Sequence, residues 1–332
     1  MERNRIKTAN PRRRAFSILF MRFRNQQGVA LILVLWVAVL LTAIVTEFAF
    51  SMRTEVNITR NFKEHQEAYY AALAGIEQAK IEIINAAKIY LNEDGILLLS
   101  EDENPPARKS RLNNAVFSYE LIDEERKINI NSAGPQHLRY IFSDSGVEDA
   151  ELDTIVDSIL DWRDANDLHR LNGAEEDYYQ SLSQPYSCKD GNFDTIEELL
   201  LVKGMNTEIL YGSKKGGEQK YKGVADYLTA KSFNVINVNT AGRLVLEAWF
   251  GPAAAENIIA QRNAGPTIAP VTGMLNNAYF SVISTGKAGD VKRSIKAIIQ
   301  RKSNKTIDIV YWNDNWHGPA PKPFDKGKQA EK

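Results

Sequence analysis

Carboxylates crowd one stretch of this sequence. Between Asp161 and Tyr179 it reads DWRDANDLHRLNGAEEDYY, with Asn and Gly interleaved among the acids. Flexible, oxygen-rich loops of this composition suit a hard cation such as calcium, which takes six to eight oxygen ligands, some of them backbone carbonyls. The register is not that of an EF-hand, because the D-x-[DN]-x-[DN]-G run with a glutamate at position twelve is missing. Catalytic alternatives find little to build on. The four histidines (His65, His137, His169, His317) are scattered, and no G-x-S-x-G, P-loop or G-x-G-x-x-G occurs. Asp164 and Asp167 could serve as a glycosidase acid and nucleophile, but nothing else shapes a sugar cleft. The expectation is a protein that is not an enzyme.

The acids belong to a wider asymmetry that the net charge of −1 conceals. Residues 120–212 carry 21 Asp/Glu against 7 Lys/Arg, a net charge of −14, whereas residues 1–28 carry eight Lys/Arg against one acid. An acidic body repels nucleic acid, and a basic end suits the cytoplasmic flank of a membrane segment. Cys188 is the single cysteine, so no intramolecular disulfide forms and packing or metal must hold the fold.

The basic end runs into VALILVLWVAVLLTAIVT, Val29 to Thr46, which has no charge, Gly or Pro. Eighteen such residues reach ~27 Å as a helix, close to the thickness of a bilayer's hydrocarbon. The positive-inside rule puts residues 1–28 in the cytoplasm and the body outside. The run is too long for a signal-peptide core, and no small-x-small cleavage site follows it. Helical spacing of apolar residues continues beyond the span, predicting one helix from about Val29 to about Leu91.

Arg24-Asn25-Gln26-Gln27-Gly28 followed by Val29-Ala30-Leu31-Ile32-Leu33 resembles the prepilin peptidase site of type II secretion pseudopilins, most closely that of the general secretion pathway protein K family. The resemblance implies cleavage at Gly28–Val29 and N-methylation of Val29. It also implies a pilin-like fold, an inner-membrane anchor with a periplasmic body, and a place at the tip of a short filament with the I and J minor pseudopilins. Prepilin peptidase, further pseudopilins, the secretin and exported cargo complete the implied partners. Where most pilins carry a glutamate, the fifth residue after the cut is Leu33, as in the K family. Met21 would start a shorter leader, MRFRNQQG. A run similar to D-W-x-D-x-x-D then N-G-A-E-D/E recurs in this family, whose helical domain binds calcium. Carried over, it points to Asp161, Asp164, Asp167, Glu175 and Asp177, with Asp190 and Asp194 as distal donors.

Four segments alternate as strands do: Val116–Ile122, Tyr279–Ser284, Arg293–Ile299 and Thr306–Trp312. They are expected to form one antiparallel sheet. Between them, KININSAG at Lys127–Gly134 matches VINVNTAG at Val235–Gly242, and each copy precedes a helical pattern ending near an Arg. Ser132 and Thr240, preceded by Asn131 and Asn239, are the expected N-caps. The second copy also resembles the helix-hairpin-helix units of competence DNA-binding proteins. Its hairpin, Trp249-Phe250-Gly251-Pro252, lacks the second glycine, and basic residues are few, so no nucleic acid is expected.

The expected fold class is α+β: a pilin-like fold with a long N-terminal transmembrane helix packed on an antiparallel sheet, and a large inserted helical domain containing two helix-hairpin-helix-like (SAM-like) units. Its parts are a leader (1–28), a transmembrane stretch (29–50), a first pilin-like part (51–131), the insertion (132–275), the closing sheet (276–313) and a disordered tail (314–332). The function implied is a minor pseudopilin. A minor pilin of a type IV pilus and a membrane-tethered DNA-binding competence protein are the alternatives.

Overall fold

The computed structural model describes residues 12–92, 96–99, 107–215, 218–264, 278–303 and 305–318. Expectations for residues 1–11 of the leader, 265–275 of the insertion and 319–332 of the tail lie outside them. The chain divides into two compact units, residues 1–63 and 64–332. One helix, α1, runs unbroken from Arg12 to Ile84 over 73 residues.

In the first unit, the stretch Val29–Thr46 of α1 is apolar on every side, and Val29, Leu31, Leu33, Trp36 and Leu40 are all exposed. A helix with no polar face buries itself in something other than a soluble core of its own. Threonine hydroxyls along this part of α1 bond internally: those of Thr42, Thr46 and Thr54 donate to the carbonyls of Ala38, Thr42 and Phe50 at 2.8, 2.7 and 3.1 Å. Internal bonding spares these hydroxyls a cost in lipid, where water is not available to satisfy them. The helix is long and apolar enough to cross a membrane.

In the second unit, α1 leads into strands β1 (Tyr90–Leu91), β2 (Leu97–Leu98), β3 (Lys109–Leu112) and β4 (Ala115–Asp123). Next come β5 (Ile128–Asn129) and helices α2 (Pro135–Asp144), α3 (Asp149–Arg163), α4 (Glu176–Gln180) and α5 (Thr207–Tyr211). Strands β6 (Ser213–Lys215), β7 (Glu218–Tyr221) and β8 (Leu228–Thr229) precede α6 (Arg243–Phe250) and α7 (Pro252–Ala264). Strands β9 (Tyr279–Ala288), β10 (Val291–Arg301) and β11 (Ile307–Asn313) close the fold.

All four predicted strands enter one antiparallel sheet, ordered β11-β10-β9-β4-β3. Alternation decides which face is covered: Phe117, Tyr119, Leu121, Phe280, Val282, Ile295, Ala297 and Ile299 are buried with Ala68, Ala72, Ile76, Ala79 and Ile83 of α1. Those helical residues recur at three- and four-residue steps, the stripe a helix lays on a sheet. Small side chains bring the two backbones close. A Cβ on Gly286 of β9 would lie 2.0 Å from the Ala68 carbonyl oxygen. At the far end of the contact, Glu82 accepts from Arg108 Nη2 at 2.5 Å and from Tyr119 Oη at 3.0 Å.

The helix ends at Ile84 rather than near Leu91. Beyond it the amides of Ala87 and Lys88 donate to the Leu99 carbonyl, and Tyr90 and Leu91 pair with Leu98 and Leu97, so the apolar rhythm of this stretch serves a hairpin.

Between β4 and β9 lies a helical block with its own core, including Leu138, Phe142, Ile159, Trp162, Tyr179, Phe193, Leu246 and Ile259. The repeated motif folds twice in the same way. Asn129 Oδ1 accepts from the Asn131 amide (2.9 Å) and Asn237 Oδ1 from the Asn239 amide (3.1 Å). The amides of Ser132 and Ala133 return to the Asn129 carbonyl, as those of Thr240 and Ala241 return to that of Asn237. The helices that follow then carry matching arginines. Arg163 of α3 donates to the carbonyls of Ile130 and Ala133, and Arg262 of α7 to those of Val238 and Ala241. The expected N-caps are displaced: Gly134 and Gly242 occupy the cap positions without side-chain bonds. The first asparagine of each motif closes a turn instead, because its side chain reaches an amide two residues on.

Candidate functional site

The acidic loop leaves α3 and returns to α4, and its members are held in different ways. Asp161, in the last turn of α3, is buried. Its carboxylate accepts from the Arg170 amide at 3.1 Å and faces the Arg170 guanidinium, which also reaches Asp164 Oδ2 at 2.7 Å. Gly173 makes room for this arrangement, since a Cβ there would lie 1.8 Å from Asp161 Oδ2. Asn172 Nδ2 and its amide both donate to Asp157 Oδ2 at 3.2 Å, tying the loop back to α3. Behind it, Trp162 stands edge-on to Tyr179 at 5.1 Å, and Lys203 Nζ donates to the Gly173 carbonyl at 2.9 Å.

Glu175 is placed differently. Only 2% of it is exposed, and neither carboxylate oxygen has a hydrogen-bond partner. One Glu175 oxygen, the Cys188 sulfur and one Asp190 oxygen all lie within 4.8 Å of one another. Burial, reinforced by the charges of Asp161, Asp164 and Asp190, pushes the Glu175 carboxyl up to about 7 despite a Cys188 contact that pulls the other way. Burial likewise pushes the Cys188 thiol up to about 12. A buried, unsatisfied carboxylate beside further acids is costly as it stands and is relieved by a cation. Oxygen donors from Glu175 and Asp190 fit a hard divalent ion, while the thiol is the softer neighbour.

Of the seven acids singled out from the sequence, the structure brings Glu175 and Asp190 together. It sets Asp161 and Asp164 close by with Arg170 as their counter-charge. Asp194 sits apart, bridged to Lys189 at 2.8 Å and Lys231 at 3.4 Å, and hydrogen bonding to Lys189 holds its carboxyl below the usual range. Asp177 is exposed and accepts from the Tyr178 amide at 2.7 Å, and Asp167 is exposed. Sequence reasoning passed over Cys188 and Arg170. The Cys-x-Asp spacing of Cys188 and Asp190 was the available signal for the first, and nothing in residue type alone marked Arg170 as the internal cation.

Gly28 and Val29 lie within α1, both exposed, and nothing stands within 4 Å of a Cβ placed on Gly28. At the α6–α7 hairpin the arginines are already engaged: Arg243 bonds Glu256 and lies 3.6 Å from Glu247, and Arg262 holds the motif carbonyls.

Residues 111–212, which take in β4, the first motif copy and the acidic loop, match the family model described as type II secretion system (T2SS), protein K. Among curated proteins the chain is similar to the putative type II secretion system protein K of Escherichia coli K12. They are 26% identical over 201 positions, covering 56% of this chain and 60% of that protein. It is also similar to type II secretion system protein K of Pseudomonas aeruginosa PAO1, 24% identical over 351 positions that cover 93% of this chain and 98% of that protein. Its fold matches a chain in the crystal structure of the GspK-GspI-GspJ complex from the enterotoxigenic Escherichia coli type 2 secretion system. The TM-score is 0.57 at 18% identity, over 77% of this chain and 98% of that one. The family model over residues 111–212, the near full-length relative and the shared fold all make the chain similar to the type II secretion system protein K family.

Proposed function

We propose that this chain is the minor pseudopilin at the tip of the pseudopilus. In this reading prepilin peptidase cuts after Gly28 and methylates Val29. The helix from Val29 anchors the subunit in the inner membrane, with the leader cytoplasmic and the body periplasmic. Subunits similar to the I and J chains of the related complex are its neighbours.

The observation that carries the tip assignment is Leu33. The stem has no carboxylate before Glu47, and its side chains are exposed along the apolar run. In a helical stack a carboxylate near the mature amino terminus would neutralise the buried amine of the subunit ahead. With no subunit ahead, such a carboxylate would be an unpaired charge in lipid, costing several kcal/mol. Gly28 supports the processing step. A glycine inside a helix costs about 1 kcal/mol relative to alanine, and the open space around Gly28 gives the fold no reason to prefer it. The helical block between β4 and β9 supplies bulk for blocking further addition.

Mass spectrometry of the amino terminus after co-expression with prepilin peptidase tests the reading. A methylated Val29 is expected, and an intact leader or a cut well beyond Thr46 defeats it. Co-purification with I and J pseudopilins against type IV pilus subunits separates the two kinds of filament. For calcium, the support is the unsatisfied Glu175 carboxylate beside Asp190. A bound ion there would have a structural role, fixing the loop between α3 and α4.

A further inference from the structure

Strand β4 leaves the sheet through Asp123-Glu124-Glu125-Arg126-Lys127, whose three acids are 1, 2 and 3% exposed. Each acid ties to a different part of the fold. Asp123 accepts from Asn237 Nδ2 at 2.7 Å and Thr240 Oγ1 at 2.6 Å, both in the second motif copy. Glu124 accepts from Ser281 Oγ of β9 at 2.6 Å and from Lys127 Nζ at 2.8 Å. The Glu125 carboxylate accepts from the Phe233 amide at 3.1 Å, and its carbonyl accepts from the Asn237 amide at 2.8 Å. These five residues are the joint at which the helical block meets the sheet.

The charges in this joint are unevenly answered. Glu124 has an ion pair with Lys127, whereas the hydrogen bonds to Asp123 and Glu125 come from neutral amides and hydroxyls. Asp123 Oδ1 accepts from the Glu125 amide at 3.0 Å, so the two buried acids share one turn. A carboxylate this buried ionises at a penalty, and the charge of a second buried acid on the same turn adds to it.

We infer that this joint is locked by a proton: it is tight while Glu125 is neutral and loosens when Glu125 ionises beside Asp123. Burial, then the Asp123 charge, pushes the Glu125 carboxyl from its ordinary 4.5 up to about 8, against hydrogen bonds from the Phe233 and Tyr279 amides. Burial raises Asp123 too, opposed by its bonds to Thr240 and Asn237. Glu124 behaves oppositely: burial pushes it up, but Lys127 together with hydrogen bonds from Ser281 and Thr229 holds it below its usual value. The other charged or titratable groups facing the joint are Arg126 on the segment itself, Tyr279 of β9, Lys296 of β10, Lys302 beyond it, Asp226, and Arg262 of α7. The 233–240 segment contributes Phe233, Asn237 and Thr240 to these contacts, and none of them titrates in this range.

An acid whose value is raised in the closed joint favours closure at low pH. That contribution fades as pH climbs from the ordinary carboxylate range through about 8. Hydrogen exchange of the full chain in detergent micelles, read by mass spectrometry from pH 5.5 to 9 and corrected for intrinsic exchange, measures the opening of residues 233–240. Opening is expected to rise by up to about tenfold per pH unit, one proton's worth, and to level off above about pH 8. A flat corrected profile in the wild type overturns the inference. Glu125→Gln should lose most of the slope while α2 and α3 keep their protection, and a wild-type slope in that variant also overturns it. Asp123→Asn, which removes the neighbouring charge, should bring the plateau to lower pH, and an unmoved plateau counts against coupling of the two acids.

Discussion

Arg163 and Arg262 each hold two backbone carbonyls that lie where a motif turns into a helix, so each side chain stands in for a strand partner. Replacing Arg163 with Met keeps the aliphatic stem but leaves the Ile130 and Ala133 carbonyls without their donors. The expected cost is about 2–3 kcal/mol. Scanning fluorimetry should show a midpoint lower by about 5–10 °C, and a midpoint that stays put would mean water replaces the guanidinium. Glu175 poses the complementary question. If it holds calcium, added calcium raises the midpoint of the wild type, chelation reverses the gain, and Glu175→Gln shows neither effect. A wild type indifferent to chelator removes the metal from the account. At this scale residue type was informative about chemistry and poor on pairing. The acidic loop was plain from its composition, but Arg170, distant from neither acid in sequence, could equally have pointed to solvent. Only the fold sets it between Asp161 and Asp164.

The contact between α1 and β9 depends on what is missing from Gly286. A methyl group there would meet the Ala68 carbonyl, so Gly286→Ala forces helix and sheet apart at a cost of about 3 kcal/mol. Gly28→Ala is the contrasting substitution. It meets nothing, should leave the melting midpoint of the body unchanged, and should abolish or slow removal of the leader. Equal destabilisation by the two would contradict this division between packing and processing. Strand elements were readable because they are long: β4, β9 and β10 each run for nine residues or more with one face covered, and β11 runs for seven at the edge. Two-residue bridges such as β1 with β2, or β5 with β8, carry no period to read. The end of α1 was overrun for a related reason, since apolar residues beyond Ile84 satisfy a helical pattern and a hairpin equally well.

For the molecule as a whole, every buried core residue of the second unit lies at or beyond Ala68. A chain lacking residues 1–50 should therefore stay folded and soluble, with the near-UV circular dichroism and melting midpoint of the full protein. Loss of its cooperative transition would show that the stem contributes to the body. The insertion was recognisable from the repeated motif, which the two copies fold alike. Its acidic joint to the sheet was not, because Asp123, Glu124 and Glu125 read as a solvated charged run until their partners, more than a hundred residues away, are in place.

That separation has a kinetic side. The central sheet contact pairs Val116 with Lys287 and Asp123 with Phe280, so β4 waits for nearly the whole intervening chain before it finds β9. Closing so long a loop is slow, whereas α2 with α3 and α6 with α7 are local contacts that form quickly. The helical block thus has time to assemble first and bring the ends of its own span together, acting as an internal template that shortens the search of the sheet it interrupts.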